Sequence, residues 1–319
     1  MKQFYPNPFI EQRADPFICH HQDGVYYFTA SVPEYDRIEI RRAKTLADLR
    51  TAAPFIAWKK HAQGKMSALI WAPELHFLKG KWYIYFAAAS STQVTGNTFN
   101  HRMYVLENAS SDPCTPNWVE KGQMQTGWDS FALDATVMAQ QEKLYYIWAQ
   151  QDEQLNPKSH SNIYIAEMKT PWQLNTPAIL LSQPEFPWET TVFHVNEGPA
   201  ILKKDGKIFL TYSASATDEN YCIGMLSAST DADLLNPLSW KKSSVPVFQT
   251  SYEHHIYGPG HNSFTTAEDG ITNILVYHAR NYTKITGDPL YDPNRHTRLQ
   301  AVNWNADGTP DFGSPLPEI

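Results

Sequence analysis

Three carboxylates stand at equivalent places in a repeated sequence pattern. The pattern begins with a polar or aromatic residue, continues as a short apolar strand and a turn, and ends in a second strand rich in aromatic and aliphatic residues. Its five copies begin at Asp15, Trp71, Asp134, Glu197 and His261, which are 56, 63, 63 and 64 positions apart. A fixed period of this kind indicates a repeat architecture. Three acids brought together by such repeats would suit hydrolysis of a glycosidic bond, which needs one protonated and one ionised carboxyl group.

The residues around each acid favour a place in a site. Asp15 precedes a proline, which favours an extended chain at the start of a strand. Asp134 stands between apolar residues, where a lone carboxylate would be costly unless it were paired or used. Glu197 is followed by Gly198, which lets a substrate come near the backbone. A single acid before a strand is commonly a turn or cap residue, but three at equivalent repeat positions favour a shared site.

The elements that must position these acids are strands. Each repeat continues into a third strand, and alternating apolar and polar residues with β-branched and aromatic enrichment support this assignment. Two-residue turns that end in glycine, such as Lys79-Gly80 and Asp205-Gly206, fit the positive φ angles of tight hairpins. Five repeats of three or four strands predict an all-β fold, a five-bladed β-propeller, as a single domain over residues 1–319. The leading residue of each repeat should open the innermost strand, so all five should converge at one end of the axis.

Composition excludes several classes of partner. The net charge is -7, from 26 basic and 33 acidic residues, and no basic cluster is present, so we expect no nucleic-acid partner. No apolar run reaches membrane-spanning length, so we expect no membrane partner. The three cysteines cannot all pair and lack metal-ligand spacing. The first residues contain no apolar stretch like that of a signal peptide, and we therefore expect a cytoplasmic protein.

Five short motifs resemble the blade motifs of family 43 glycoside hydrolases. They occur in the family's order over essentially the whole chain, and they are Arg13-Ala-Asp-Pro, Trp71-Ala-Pro-Glu, Leu133-Asp-Ala-Thr, Asn196-Glu-Gly-Pro and Gly258-Pro-Gly-His. The resemblance implies a propeller that hydrolyses arabinofuranosides or xylosides with inversion at the anomeric carbon. It also implies that Asp15 is the general base that activates water, that Glu197 is the general acid, and that Asp134 orients Glu197 and raises its pKa.

The resemblance assigns roles to three further residues. Trp71 is expected to form a wall of the sugar pocket. Arg295 is expected to reach the sugar hydroxyls and the base, with Arg298 as the alternative arginine. His261 is similar to the family's axial histidine, which helps to hold a cation or water. We therefore expect no required cofactor and leave open a structural calcium ion in the axial channel. No role is assigned to His254, His255 and His278.

Several segments resemble one activity within the family. Those beginning at Ile70, Phe131 and Asn303 look most like exo-acting α-L-arabinofuranosidases, which release terminal arabinose from α-1,5-linked arabinan or arabino-oligosaccharides. β-Xylosidases of the family often carry an added β-sandwich domain, and none follows the fifth repeat here, which favours the arabinan-directed members. A β-xylosidase and an endo-arabinanase remain alternatives, as does a non-catalytic sugar-binding propeller.

Overall fold

Five antiparallel sheets contain the long strands of the protein. The computed structural model describes residues 5–96, 98–155 and 157–318. In each sheet the first strand of a repeat lies at one end, and the following strands pair outward in chain order. Among the described residues, no helix has the length and apolarity needed to cross a membrane.

The bounds of the elements follow the five repeats. Blade 1 contains β1 (Ala14–His20), β2 (Tyr26–Ser31), β3 (Arg37–Ala43), helix α1 (Leu46–Leu49) and β4 (Phe55–Lys59). Blade 2 contains β5 (Ala68–Leu78), β6 (Lys81–Ala89), the small hairpin β7 (Val94–Thr95) and β8 (Thr98–Phe99), then β9 (Arg102–Asn108) and β10 (Val119–Gln123). Blade 3 contains β11 (Ala132–Gln140), β12 (Lys143–Gln150), β13 (Asn162–Thr170), β14 (Gln173–Leu174) and β15 (Ile179–Ser182). Blade 4 contains β16 (Asn196–Lys204), β17 (Lys207–Ala214), β18 (Cys222–Ser229) and β19 (Lys241–Lys242). Blade 5 contains β20 (Tyr257–Thr266), β21 (Asn273–Arg280) and β22 (His296–Ala301), and a last hairpin contains β23 (Asn303–Trp304) and β24 (Pro310–Asp311). Short 3₁₀ turns lie at Pro187–Glu189, Pro237–Ser239 and Pro289–Tyr291.

The innermost strands form a closed ring. Each of β1, β5, β11, β16 and β20 contacts the inner strand before it and the one after it, and β20 contacts β1. This arrangement confirms the predicted five-bladed β-propeller. That one domain spans residues 1–319 stays a prediction, because residues 1–4 and 319 lie outside the described part of the chain.

The inner strands begin one to four residues earlier than the sequence predicts, because each contains a β-bulge near its leading residue. The register with the second strand shifts there in all five blades. Asp15, Asp134 and His261 have φ angles of 54°, 48° and 39°, and at Ala72 and Gly198 the angle is 45° and 54°. Non-glycine residues rarely adopt this region, although Asp and His tolerate it better than most. A bulge inserts an unpaired residue that re-aims side chains, which strand alternation does not reveal.

The backbone N–H groups that the bulges leave unpaired within a sheet join neighbouring blades. Four side chains of the preceding blade accept these bonds: His278 Nδ1 from Asp15 at 3.0 Å, Ser31 Oγ from Ala72 at 2.8 Å, Asp134 Oδ2 from Gly198 at 3.0 Å, and Ser213 Oγ from His261 at 2.6 Å. A buried N–H left without an acceptor would be costly, so each bond fixes one blade against the next at the level of the bulges.

The segment before β1 completes blade 5, which has three strands of its own. The N–H of Phe9 donates to the carbonyl of Thr297 at 2.7 Å, and the N–H of Thr297 donates to the carbonyl of Ile10 at 2.9 Å. The buried Asn7 amide continues this pairing, since it donates to the carbonyl of Leu299 at 3.0 Å and accepts from its N–H at 2.9 Å. The segment before β1 is thereby held against β22, and blade 1 is fixed beside blade 5.

The predicted hairpin turns are present, and the corresponding hairpin turn of blade 3 contains no glycine. Gly80 and Gly206 have φ angles of 80° and 75°, and the residue before each also has a positive φ. In blade 3 the corresponding residues are Gln141 and Glu142, with φ angles of 49° and 64°. Glycine is therefore not the only residue that these hairpins use, and the exposed Glu142 carries backbone strain.

We predict that Asn7→Ala lowers the free energy of unfolding by about 2–4 kcal/mol, because it leaves a buried N–H and a buried carbonyl of Leu299 without partners. Urea unfolding followed by tryptophan fluorescence measures this change. Asn305→Ala, which removes an amide from an exposed turn, is the matched control and should change stability little. Equal effects of the two substitutions would contradict the role given to Asn7.

We predict that Glu142→Gly raises the free energy of unfolding by about 1 kcal/mol, since glycine adopts the positive φ without the clash of a Cβ atom. The reverse change, Gly206→Glu at the equivalent place in blade 4, should lower it by a similar amount. The nearest atom to a Cβ at Gly206 is 3.9 Å away, so strain rather than crowding would be measured. Thermal unfolding of the two variants in parallel provides the comparison.

Candidate active site

The predicted site residues line one cleft at one end of the propeller axis. The cleft has a volume of about 460 Å³, within the range of small-molecule sites. Its lining includes all six, namely Asp15, Trp71, Asp134, Glu197, His261 and Arg295. The side chains of Asp15 and Asp134 are buried, and that of Glu197 is half-buried. The five leading residues of the repeats therefore meet, although 246 positions separate the first from the last.

A second cavity of about 380 Å³ lies farther along the same inner strands. It is lined by residues such as His76, Thr136 and Ser263, and none of the three acids reaches it. The chemistry of the protein therefore belongs to the cleft that contains the acids.

Asp15 is surrounded by donors. Its Oδ2 accepts a hydrogen bond from Ser31 Oγ at 2.5 Å, and its Oδ1 lies 3.4 Å from Nη1 of Arg295. His261 Nδ1 is also 3.4 Å from Oδ1. Burial by itself would raise the pKa of Asp15, but His261, when its ring is protonated at low pH, and the permanent charge of Arg295 oppose it and hold the pKa below its ordinary value. Asp15 is therefore ionised and can accept a proton.

Arg295 is held in place on its other side by Tyr35. Its Nη2 donates to the Tyr35 hydroxyl at 2.9 Å, and that hydroxyl donates in turn to the carbonyl of Leu290. The alternative arginine, Arg298, is fully buried in β22, pairs with Glu318 and is absent from the cleft lining. The arginine beside the predicted base is therefore Arg295.

Asp134 and Glu197 are neighbours in space with a different electrostatic setting. Burial raises the pKa of Asp134 well above its ordinary value, and the charges of Glu197 and Asp15 raise it further. Burial also raises the pKa of Glu197, and with the charge of Asp15 brings it to about 7. Carboxyl groups this close cannot all be ionised at once, so this pair keeps a proton at neutral pH. The cleft thus contains one ionised carboxyl group, that of Asp15 on blade 1. The pair of carboxyl groups on blades 3 and 4 keeps a proton.

Gly198 brings His261 close to the acids. A Cβ atom on Gly198 would lie 3.3 Å from the His261 ring, so the glycine is needed for the close approach of two blades. The ring places Nδ1 at 3.4 Å from Asp15 Oδ1 and at 3.5 Å from Asp134 Oδ2. Burial lowers the pKa of His261, so the imidazole is neutral at neutral pH.

His261 is the residue predicted to help hold a cation. Within residues 5–96, 98–155 and 157–318, no three His, Cys, Asp or Glu side chains are arranged to hold a metal ion. The Nδ1 atom of His261 faces two carboxylates instead. The calcium ion in the axial channel stays a prediction, and no chemical step is derived through it.

Trp71 forms part of the cleft wall, as its position in the second repeat predicts. Its ring stacks on His101, with centroids 3.9 Å apart and planes at 23°, and meets Phe99 edge-on at 5.4 Å. The side chain is 9% exposed, and its Nε1 has no hydrogen-bond partner among the described residues. Trp71 therefore belongs both to the core between blades 2 and 3 and to the lining of the cleft.

Two residues near the acids are missed by the sequence analysis. His278 accepts the N–H of Asp15 at Nδ1, and burial lowers the pKa of this histidine to about 3, so its ring is neutral. The hydroxyl of Tyr221 donates to Glu197 Oε1 at 2.7 Å. Both lie in strand segments that look like ordinary core. The one available signal is Gly260, which pairs with His278 across the sheet and leaves room for Tyr221.

Proteins of known name are similar to this chain over most of its length. A protein of Streptomyces avermitilis named extracellular exo-α-(1→5)-L-arabinofuranosidase is 57% identical over 98% of this chain and 64% of its own length. A protein of Streptomyces chartreusis with the same name is 50% identical over 89% of this chain and 85% of its own length. The crystal structure of an α-L-arabinofuranosidase from Lactobacillus brevis superposes with a TM-score of 0.97 at 59% identity, over 99% of this chain and 98% of that one.

The relatives correct two parts of the sequence analysis. The prediction of a cytoplasmic protein is wrong, because both Streptomyces relatives are named as extracellular. It depended on a missing signal-like segment, and such segments are removed from mature secreted proteins. The chain spans less than two thirds, 64%, of the length of the Streptomyces avermitilis relative, which is named as an arabinofuranosidase and has additional sequence of its own. Extra length beyond the propeller therefore does not separate xylosidases from arabinofuranosidases.

The family model described as glycosyl hydrolases family 43 matches residues 5–310, which include the complete ring of blades and every residue of the acid cleft. With an ionised acid facing a protonated pair in that cleft, and with relatives at 50% identity or more, the chain belongs to glycosyl hydrolase family 43.

Proposed function

We propose that this protein is an inverting exo-α-L-arabinofuranosidase that releases terminal arabinofuranose from α-1,5-linked arabinan or arabino-oligosaccharides. The observation that carries the proposal is the meeting of three carboxyl groups in one cleft, of which Asp15 is paired with Arg295 at 3.4 Å. The pKa directions agree with this geometry, since the pKa of Asp15 is lowered and those of Asp134 and Glu197 are raised. Inversion needs one carboxylate to activate water and one carboxylic acid to protonate the leaving oxygen. The names and identities of the relatives support arabinofuranose as the sugar.

In the proposed reaction, Asp15 accepts a proton from a water molecule as the water oxygen attacks the anomeric carbon. Glu197 donates its proton to the glycosidic oxygen, the bond between that oxygen and the anomeric carbon breaks, and arabinose leaves with inverted configuration. Asp15 is then protonated and Glu197 ionised, and proton exchange with solvent restores both. Arg295 keeps Asp15 ionised before the attack. Burial and the charge of Asp15 raise the pKa of Glu197 to about 7, which favours the protonated form of the acid before transfer.

The walls of the cleft support action at a chain end. Loop residues of three blades line it: Val94 and Phe99 from blade 2, Val192 and Phe193 from blade 4, and Pro289 and Leu290 from blade 5. A cleft bounded on several sides accepts a terminal sugar more readily than the middle of a polymer. Apolar linings with a few polar groups are usual in small-ligand sites.

The first experiment compares hydrolysis of 4-nitrophenyl α-L-arabinofuranoside and 4-nitrophenyl β-D-xyloside, followed by product analysis on linear α-1,5-arabino-oligosaccharides. We expect turnover of the arabinofuranoside and release of arabinose alone, and proton NMR should show the β-anomer as the first product. Internal cleavage of the oligosaccharides would indicate an endo-arabinanase, and preference for the xyloside would indicate a β-xylosidase. Binding of arabinan without turnover would indicate a non-catalytic propeller.

We predict that Asp15→Asn, Asp134→Asn and Glu197→Gln each lower kcat by about 10²–10⁴-fold on arabinobiose while the fold is kept. For Glu197→Gln, an activated 2,4-dinitrophenyl leaving group should recover much of the rate, since it needs little protonation. Asp15→Asn should show no such recovery because it lacks the base. Asp231→Asn, at an exposed acid outside the cleft, is the control. Wild-type rates in all three cleft variants would refute the assignment of the acids.

We predict a bell-shaped dependence of kcat/KM on pH with an alkaline limb near pH 7. The general acid must be protonated, and the pKa of Glu197 is raised to about 7, so activity falls as the pH rises through this value. The base must be ionised, and the lowered pKa of Asp15 places the acidic limb below the ordinary range of an aspartate. In Glu197→Gln with an activated substrate, the alkaline limb should disappear. An alkaline limb that persists in this variant would have another origin.

A further inference from the structure

Tyr221 is a buried phenol that contacts the general acid and to which no role has been given. Its hydroxyl donates to Glu197 Oε1 at 2.7 Å, and the side chain is 2% exposed at the edge of the cleft lining. The Glu197 carboxyl has a second oxygen, Oε2, which this bond leaves free. A protonated carboxyl carries its hydrogen on one oxygen and accepts on the other.

The direction of the Tyr221 bond follows from the phenol itself. Burial raises the pKa of Tyr221 well above its ordinary value, so the hydroxyl keeps its hydrogen and directs it to Glu197 Oε1. The neighbouring inner strand of blade 5 is fixed separately, because the N–H of His261 donates to Ser213 Oγ at 2.6 Å.

The ring of Tyr221 cannot turn away from this position. It lies parallel to the His278 ring, with centroids 5.7 Å apart and planes at 5°. Gly260 covers part of it, and a Cβ atom at that glycine would come within 2.2 Å of the ring. The same His278 accepts the N–H of Asp15. In this stacked pair of rings, His278 therefore bonds the backbone of the proposed base, and Tyr221 bonds the side chain of the proposed acid.

We propose that Tyr221 is a positioning residue for the general acid, which occupies Glu197 Oε1 as an acceptor and thereby keeps the transferable proton on Oε2. This inference rests on the proposed function, since it deepens the role given to Glu197. Without the phenol hydrogen bond, either oxygen could carry the proton and the carboxyl could rotate. Transfer to the glycosidic oxygen would then begin from a mixture of arrangements, of which only part is productive.

Tyr221→Phe tests the proposal because it removes the hydroxyl and keeps the ring. We expect kcat/KM on α-1,5-arabinobiose to fall about 10–100-fold, the range for a lost hydrogen bond to a charged group, because Glu197 becomes charged as it gives up its proton in the transition state. The value on 2,4-dinitrophenyl α-L-arabinofuranoside should change by less than about 3-fold, since that leaving group needs little proton transfer. Tyr277→Phe is the matched control and should leave both values unchanged. It removes a buried hydroxyl from the residue that precedes His278 in β21, outside the cleft lining.

The pH profile gives a readout that a purely structural role would not move. Asp15, Asp134, Arg295 and Tyr221 are the charged or titratable groups that face Glu197. The Tyr221 bond favours the ionised form of Glu197 and so lowers its pKa. In Tyr221→Phe the alkaline limb of kcat/KM should therefore move to higher pH. Replacing Tyr221 by 3-fluorotyrosine, a stronger donor of nearly the same shape, should move the limb to lower pH and keeps the test usable if the Phe variant does not fold.

Equal losses on both substrates with an unmoved alkaline limb would overturn the inference and leave Tyr221 a packing residue. The failure of the proposed function looks different, since the wild-type protein would then release no arabinose from arabinobiose. Arabinose release by wild type together with unchanged kinetics in both Tyr221 variants would refute the positioning role alone.

Discussion

The backbone N–H groups freed by the bulges are the interaction on which the rest of the structure depends. At the level of the acids, Asp15, Ala72, Gly198 and His261 each donate to a side chain of the preceding blade. These bonds fix neighbouring blades against each other. They also fix the orientation of each side chain that accepts the bond. Asp134 is held directly in this way, Asp15 accepts a hydrogen bond from Ser31, and Glu197 accepts one from Tyr221.

Electrostatic differences between the acids follow from this scaffold. Three carboxyl groups share one partly buried cleft, and burial disfavours charge on each of them. Of the three, Asp15 is the one that forms an ion pair with an arginine, and there the stabilisation of the ionised form outweighs burial, whereas burial prevails at the other two. Neutral histidines at positions 261 and 278 fill the space between blades without adding positive charge at neutral pH. The proposed roles of base and acid therefore arise from unequal neighbours rather than from the carboxyl groups themselves.

The sequence predicted the parts of the site that repeat. The five leading residues share a pattern, so their convergence followed from the propeller geometry, and Arg295 followed from the family resemblance. The bulges were not predictable, because an inserted residue leaves the alternation of a strand looking regular on either side. Tyr221 and His278 look like core residues, and their contacts with Glu197 and Asp15 join positions 24 and 263 residues apart. Pairing of Asn7 with Leu299, 292 residues away, has no local signal either.

Closure by the first residues also has a consequence for the order in which the molecule can be assembled. Phe9 and Ile10 leave the ribosome before any blade is complete, but their strand partner, β22, is made only after the first four blades. Asp15 likewise has no guanidinium neighbour until Arg295 has been synthesised. Four finished blades thus form an open arc in which the segment before β1 has no strand partner, a state that favours association with other chains. The acid cleft comes into existence in a single step, when the last blade joins the first.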